Sequence, residues 1–357
     1  MITWTSAENG EELIPSPWLE AIQSLHTLAY KTSLEDRELQ YMVEHGDFQW
    51  CDDSMPLPGP VPPHPVAAAR PSLLPNAMSA TSYQQVMNCP YQFFAARCLR
   101  LSPPETVREM LQKDEYGQKV HLCLQAFHSK VAGLPEPFKH PFSEENRQNA
   151  TALLTLISEQ VFAQDIEDNF VHRSWLKRWL EIIPGYIDWQ IEQAAQWRIY
   201  QVEKYSKDIA LSDQVTIKGQ LDRIDRSDNG LKIVDYKTGR TPSKDDVASG
   251  EAVQLPFYAM LAQSMLAQST AAQSMLEDSL QVRRVEYLSL DTNRFGPNVF
   301  CEGDELNRLQ YSVARRLADI MQALHEGHGL PAWGDSQTCK QCVMSGLCRK
   351  GMWSEDS

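Results

Sequence analysis

The segment from Gly219 to Gly239, GQLDRIDRSDNGLKIVDYKTG, leaves this chain few structural options. Two runs flank Asp228-Asn229-Gly230, a turn cluster whose glycine is free to take positive φ, and the second run, from Leu231 to Val234, is strongly β-favouring. The pattern predicts an antiparallel hairpin. Side chains alternate along a strand, so Asp235 and Lys237 share one face and Val234 and Tyr236 take the other. An even-residue turn sets Asp222 opposite Asp235 or Lys237, and either register gathers the three polar groups on one face. A slip of one residue would send Asp222 to the wrong side.

Two carboxylates and a lysine on one sheet face suit hydrolysis of a phosphodiester. Carboxylate oxygens suit hard cations such as magnesium or manganese. Such an ion polarises the phosphoryl oxygen and acidifies a bound water, and a nearby lysine stabilises developing negative charge or holds that water. The same residues also read as solvated charges on a hairpin.

The neighbouring motifs add to this reading. GxxDRID followed by DYKTG, with Gln254 and Tyr258 in QxxxY, resembles the RecB/AddB-type nuclease domain of the PD-(D/E)XK superfamily. The resemblance implies that Asp222 and Asp235 bind metal, that the Tyr236 carbonyl adds a ligand, and that Lys237 is catalytic. Gln254 and Tyr258 stand at i and i+4, on one helix face, and are implied to support those groups. The family's upstream GxxxH helix matches Gly117 to His121, which makes His121 a further metal ligand. That helix is expected over Glu105 to Val131, from apolar residues at helical spacing. The implied fold is α/β: a mixed central sheet flanked by helices in a restriction-endonuclease-like core, with a large helical insert between His121 and Asp222. The apolar stripe from Trp175 to Ile191 in that insert reads as core.

The chain has eight cysteines. Cys339, Cys342 and Cys348 lie close together near the C-terminus, whereas Cys89 stands far upstream in Cys89-Pro90-Tyr91-Gln92-Phe93. Four thiolates suit zinc or an iron–sulfur cluster. The resemblance extends to the iron–sulfur staple of AddB-type nucleases, implying a 4Fe-4S cluster, rather than zinc, on Cys89, Cys339, Cys342 and Cys348. Closing a loop of about 250 positions costs about 5 kcal/mol in chain entropy, which cluster binding offsets.

Residues 1–51 are expected to form a helical appendage, with patterns at Trp18–Tyr30 and Leu34–Val43. Residues 52–75, rich in proline, are expected to form an extended linker, and 76–357 the nuclease domain. No secretory leader or membrane-spanning run is visible, so a cytoplasmic protein is expected. No GxxxxGK[ST] loop is present, so ATP-driven unwinding by this stretch of chain is not expected.

The net charge of −14 opposes phosphate binding. DNA contact is therefore expected at local basic tracks: Arg97 with Arg100, Lys204 with Lys207, Arg223 with Arg226, Arg240 with Lys244, and Lys340 with Arg349 and Lys350. The function expected is a magnesium- or manganese-dependent deoxyribonuclease. It is expected to act as an exonuclease on single-stranded or duplex DNA ends, in repair or recombination, with a helicase partner. The alternatives are a CRISPR-adaptation-type exonuclease and a non-cutting DNA-binding subunit that keeps the fold.

Overall fold

The structure, a computed structural model, describes residues 7–8, 11–12, 16–35, 41, 65–103, 113–168, 170–212, 215–270 and 281–350. The chain divides into two units, Met1–Val61 and Pro62–Ser357.

The first unit contains β1 (Ala7–Glu8), paired antiparallel with β2 (Glu11–Glu12), and helix α1 (Pro17–Tyr30). Proline at the first helical position lacks only an N–H that has no intrahelical partner there. Lys31, at φ 60°, ends the helix by donating its N–H to the Thr27 carbonyl. The helix expected at Leu34–Val43 lies largely outside the described residues.

The second unit begins with β3 (Val66–Ala68), α2 (Ala80–Asn88), α3 (Pro90–Phe93), α4 (Lys113–His128), α5 (Arg147–Asp168) and α6 (Phe170–Ala194). Then come β4 (Arg198–Ser212), β5 (Val215–Ser227), β6 (Gly230–Lys237), α7 (Lys244–Ala248), α8 (Gln254–Thr270), β7 (Val282–Ser289), β8 (Gly296–Glu302) and α9 (Gly303–His325). β9 (Gly329–Pro331), α10 (Ser336–Lys340) and α11 (Ser345–Cys348) follow.

Strands β4 to β8 form one mixed sheet in that order. All neighbours are antiparallel except β6 and β7, which run parallel. A parallel pair needs a crossover, and the segment carrying α7 and α8 supplies it. The expected hairpin is β5–β6: Ser227 pairs with Gly230 and Arg223 with Val234 across a two-residue turn. Gly230 stands at φ +135°, and a Cβ there would lie 2.5 Å from the Gln281 carbonyl, so this corner excludes any side chain.

Alternation along β6 sorts its residues between two cores. Leu231 and Ile233 pack with Leu255, Phe257 and Leu261 of α8, Val313 and Leu317 of α9, and Tyr83 of α2. Val234 and Tyr236 pack with α4, α5 and α6 through Val120, Leu124, Leu154, Trp179 and Ile183. Each fully buried aliphatic contributes roughly 1.5–3 kcal/mol, so both helical layers are held to the sheet by its two faces. The fold is the α/β arrangement expected, with α5 and α6 as the insert and the Trp175–Ile191 stripe turned to the core.

Two expectations are corrected. Residues 65–75, the end of the expected linker, belong to the folded unit: β3 pairs with β9, Ala332 donates to the Pro65 carbonyl, and Ala69 and Leu74 are buried. β4 runs from Arg198 to Ser212, and β8 is an edge strand whose glycine, proline and asparagine weaken its pattern. Arg223 is no DNA contact, being only 1 % exposed. Its guanidinium donates to Asp225 at 2.6 Å beneath α6 and lies over the Trp189 ring. Lys232 is also buried there, 3.3 Å from Asp225 and 3.4 Å from Glu286.

Removing one member of such a buried cluster strands its partner. Arg223→Ala is expected to cost about 3–5 kcal/mol. Exposed Arg226, changed to alanine, should stay within about 0.5 kcal/mol. Chemical-denaturation midpoints of the two variants check this.

Candidate active site

The β5–β6 ladder ends at Arg223 and Val234, although both strands continue. Beyond that rung β5 stays with β4, and β6 stays with β7. The opening exposes backbone groups that a continuous ladder would consume. Asp222 fills it: Oδ2 accepts the Tyr236 N–H at 2.8 Å. The register that ends at Arg223/Val234 sets Asp222 opposite Asp235, one of the two arrangements the hairpin pattern allowed.

Helix α4 brings His121 to this opening. Its Nε2 lies 3.2 Å from the Tyr236 carbonyl, and its Nδ1 lies 3.5 Å from Asp222 Oδ1. Gly117, one turn earlier, lets the helix come close, since a Cβ there would stand 3.1 Å from Thr238 Oγ1. The GxxxH spacing thus has a steric reason. The glycine sets how closely α4 approaches the end of β6, and the histidine reaches across.

A fourth group was absent from the sequence reading. Glu203 of β4 places Oε1 3.6 Å from His121 Nδ1. His121, Glu203 and Asp222 each offer one ligand atom within 4.8 Å of the others, the one such trio of His, Cys, Asp or Glu among the described residues. Glu203 stands at φ +48°, in the left-handed region that non-glycine residues avoid at a cost of about 1–3 kcal/mol. Nothing local marks it in sequence, because its place depends on how β4 pairs with β5.

Asp235 lies behind this trio with Lys237. Lys237 Nζ is 2.6 Å from Asp235 Oδ2 and donates to Gln254 Oε1 at 2.8 Å. Gln254 Nε2 donates to Asp235 Oδ1 at 3.0 Å and to the Tyr258 hydroxyl at 3.1 Å. One amide therefore holds the lysine, the carboxylate and the tyrosine together. Gln84 of α2 fixes the start of α8, accepting from the Val253 N–H and donating to the Glu251 carbonyl. The residues singled out beforehand, His121, Asp222, Asp235, Tyr236, Lys237, Gln254 and Tyr258, are thus brought together.

The electrostatics call for a cation. Burial opposes charge on His121, but the Asp222 and Glu203 carboxylates outweigh it and push its pKa up to about 10. Burial, then the Asp222 charge, raise Asp235 to about 6. Burial and the Asp235 charge also raise Tyr258 and Tyr287 above the usual phenol range. Glu203 Oε1 is buried without a hydrogen-bond partner. An imidazole, carboxylates with an unpartnered oxygen and a nearby backbone carbonyl make a donor set that fits a divalent cation.

The cysteines form a second centre. Cys89, between α2 and α3, faces Cys339, Cys342 and Cys348 across a cavity of about 440 Å³, also lined by Gly334 and Lys350. The β3–β9 pairing leads directly to this cavity through Ala332. The Cys342 thiol is raised, first by burial and then by the other three sulfurs. Cys98, Cys123 and Cys301 are buried elsewhere, with pKa values pushed up by desolvation, and Cys51 lies outside the described residues.

The chain matches the family model of the PD-(D/E)XK nuclease superfamily over residues 77–349 and belongs to that superfamily. Its members are nucleases that use divalent metal ions. An uncharacterised protein of Rickettsia bellii is 24% identical over 191 residues, 53% of this chain and 22% of that protein. An uncharacterised protein of Rickettsia felis is 24% identical over 184 residues, 51% of this chain and 21% of its own length. One from Rickettsia conorii is 23% identical over the same shares. The chain thus spans about a fifth of the length of these curated relatives. Among the described residues, no helix is long and apolar enough to cross a membrane.

Binding of a cation to the folded form alone stabilises it by about 2.7 kcal/mol at one hundred times Kd. Manganese is therefore expected to raise the melting temperature of the wild type. The rise should shrink in Glu203→Gln and vanish in Asp222→Asn, read by thermal unfolding with and without EDTA.

Proposed function

We propose that the protein is a magnesium- or manganese-dependent deoxyribonuclease of the RecB/AddB type, acting on DNA ends in repair or recombination. The observation that carries this reading is the junction of two groups of side chains at the β5–β6 opening. One is the cation-seeking set His121, Glu203 and Asp222. The other is the Asp235–Lys237–Gln254 triad.

His121, Asp222, Asp235 and the Tyr236 carbonyl would hold the ion, with Glu203 as an added ligand. The ion, when bound, polarises the phosphoryl oxygen and acidifies a water. Lys237 is held by Asp235 and Gln254 and donates to the attacking water or to the developing charge on the phosphate. Gln254 keeps that ammonium in place, and Tyr258 steadies the Gln254 amide. Tyr287, whose ring centroid is 5.3 Å from Lys237 Nζ, gives the cation an aromatic wall.

For the cysteine centre we infer a 4Fe-4S cluster on Cys89, Cys339, Cys342 and Cys348. Tetrahedral zinc, with bonds of about 2.3 Å, draws its sulfurs to about 3.8 Å from one another. The four thiols line one cavity of about 440 Å³, which has room for a group larger than a single ion. Such a cluster would tie the region after β9 to the α2–α3 junction and hold α2, hence Gln84 and the start of α8.

Asp235→Asn and Lys237→Ala are each expected to reduce cleavage of end-labelled DNA by at least about 10²-fold, with folding intact by circular dichroism. EDTA should abolish cutting. A circular single strand should resist where the linear one is degraded; full activity in either variant would refute the assignment. For the cluster, purified protein should be brown and contain iron, both lost in Cys89→Ser. Stoichiometric zinc without iron would refute it.

A further inference from the structure

A second cleft, of about 730 Å³, lies away from the Asp235–Lys237–Gln254 triad. It is bounded by the end of α4, the loop from Phe138 to Phe142, the end of α6 and the first half of β4. Its lining carries Lys139, Arg198 and Lys204 and no aspartate or glutamate. In a chain of net charge −14 that is a local reversal of sign. The cleft beside Gln254 differs: it has Arg240 against Asp246, Glu251 and Asp335.

Aromatic faces alternate with these cations. Tyr200 is 43 % exposed in the cleft, with the Arg226 guanidinium 6.0 Å from its ring centroid. Trp197 and Phe142 add further aromatic surface. The deep wall is neutral: buried His128 is held well below the usual imidazole range by desolvation and the Arg223 charge, and pairs with the Tyr186 hydroxyl at 2.6 Å. Lys139 already contacts Glu136, whereas Arg198 and Lys204 are exposed. Basic residues on an edge strand also discourage edge pairing, but that role calls for no facing aromatic surface.

Two of the elements that build the cleft continue into the metal site. Helix α4 carries His128 to the cleft and His121 to the metal set, seven residues or about 10 Å apart. Strand β4 carries Lys204 to the cleft and the adjacent Glu203 to the metal set. A strand lying along α4 and β4 would therefore arrive at the scissile position.

We propose that this cleft is the seat of a single-stranded nucleic acid, with phosphates on Arg198 and Lys204 and a base stacked on Tyr200. This rests on the nuclease reading and names its substrate class. Duplex bases are already stacked on one another and leave no face for Tyr200, whereas unpaired bases present theirs to aromatic side chains.

The test is fluorescence anisotropy of a labelled single-stranded oligothymidylate in EDTA, over a range of salt. The doubly substituted Arg198→Gln/Lys204→Gln protein should bind about tenfold or more weakly, with a salt slope shallower by about 1.4 for two lost phosphate contacts. Tyr200→Ala should lose about 5- to 100-fold with its slope unchanged. Arg308→Gln/Arg315→Gln, which removes two exposed charges from α9, should match the wild type. The proposal is overturned if the wild type does not bind, if the cleft variants bind like it, if the α9 variant loses as much, or if duplex binds equally well. Binding in EDTA is independent of cutting. Cleft variants that bind normally beside an active wild type defeat this proposal alone, and weakened binding beside a wild type that never cuts defeats the nuclease reading alone.

Discussion

The site depends on one hydrogen bond at the place where two strands part. Asp222 accepts the Tyr236 N–H just beyond the last rung of the β5–β6 ladder. That bond satisfies a buried donor which would otherwise cost about 1–3 kcal/mol. It also holds the Asp222 carboxylate beside His121 and Glu203. A ladder continued to Lys237 would have paired these groups with each other and left nothing for an ion.

Two polar systems of different character sit on the two faces of β6. On the α8 face, Asp235 and Lys237 are tied by Gln254 and look into the site. On the α6 face, Lys232 shares Asp225 with Arg223, fully buried and ringed by Trp189 and Trp197. Strand alternation puts Lys232 on one face of β6 and Asp235 and Lys237 on the other. The inner cluster is matched charge for charge, so it stiffens the sheet under the site. The outer one adjoins Glu203 of β4, and the acidic groups gathered there, with His121, fit a ligand.

Much of this was legible beforehand. The turn at Asp228-Asn229-Gly230, the alternation around Asp235, the Gln254/Tyr258 spacing and the glycine one turn before His121 are local patterns, and local geometry dictates what they do. The Trp175–Ile191 stripe likewise marked a buried helix. Three features were not legible. Glu203 belongs to the metal set only because β4 pairs with β5, a register no local pattern of β4 encodes. Arg223 looked like a surface cation because a charged side chain carries no sign of the Asp225 that neutralises it. Residues 65–75 looked like linker because a short strand is recognisable only beside β9.

The sequence by itself determined the hairpin, the side of it on which Asp235 and Lys237 stand, and the helix faces that meet them, since these follow from periods of two and 3.6 residues along one stretch of chain. Only the tertiary structure decided which carboxylates stand together, which cations reach solvent and which cysteines share a cavity. Those outcomes depend on contacts between residues far apart in the chain, and burial changes what each charge is worth once the contact is made.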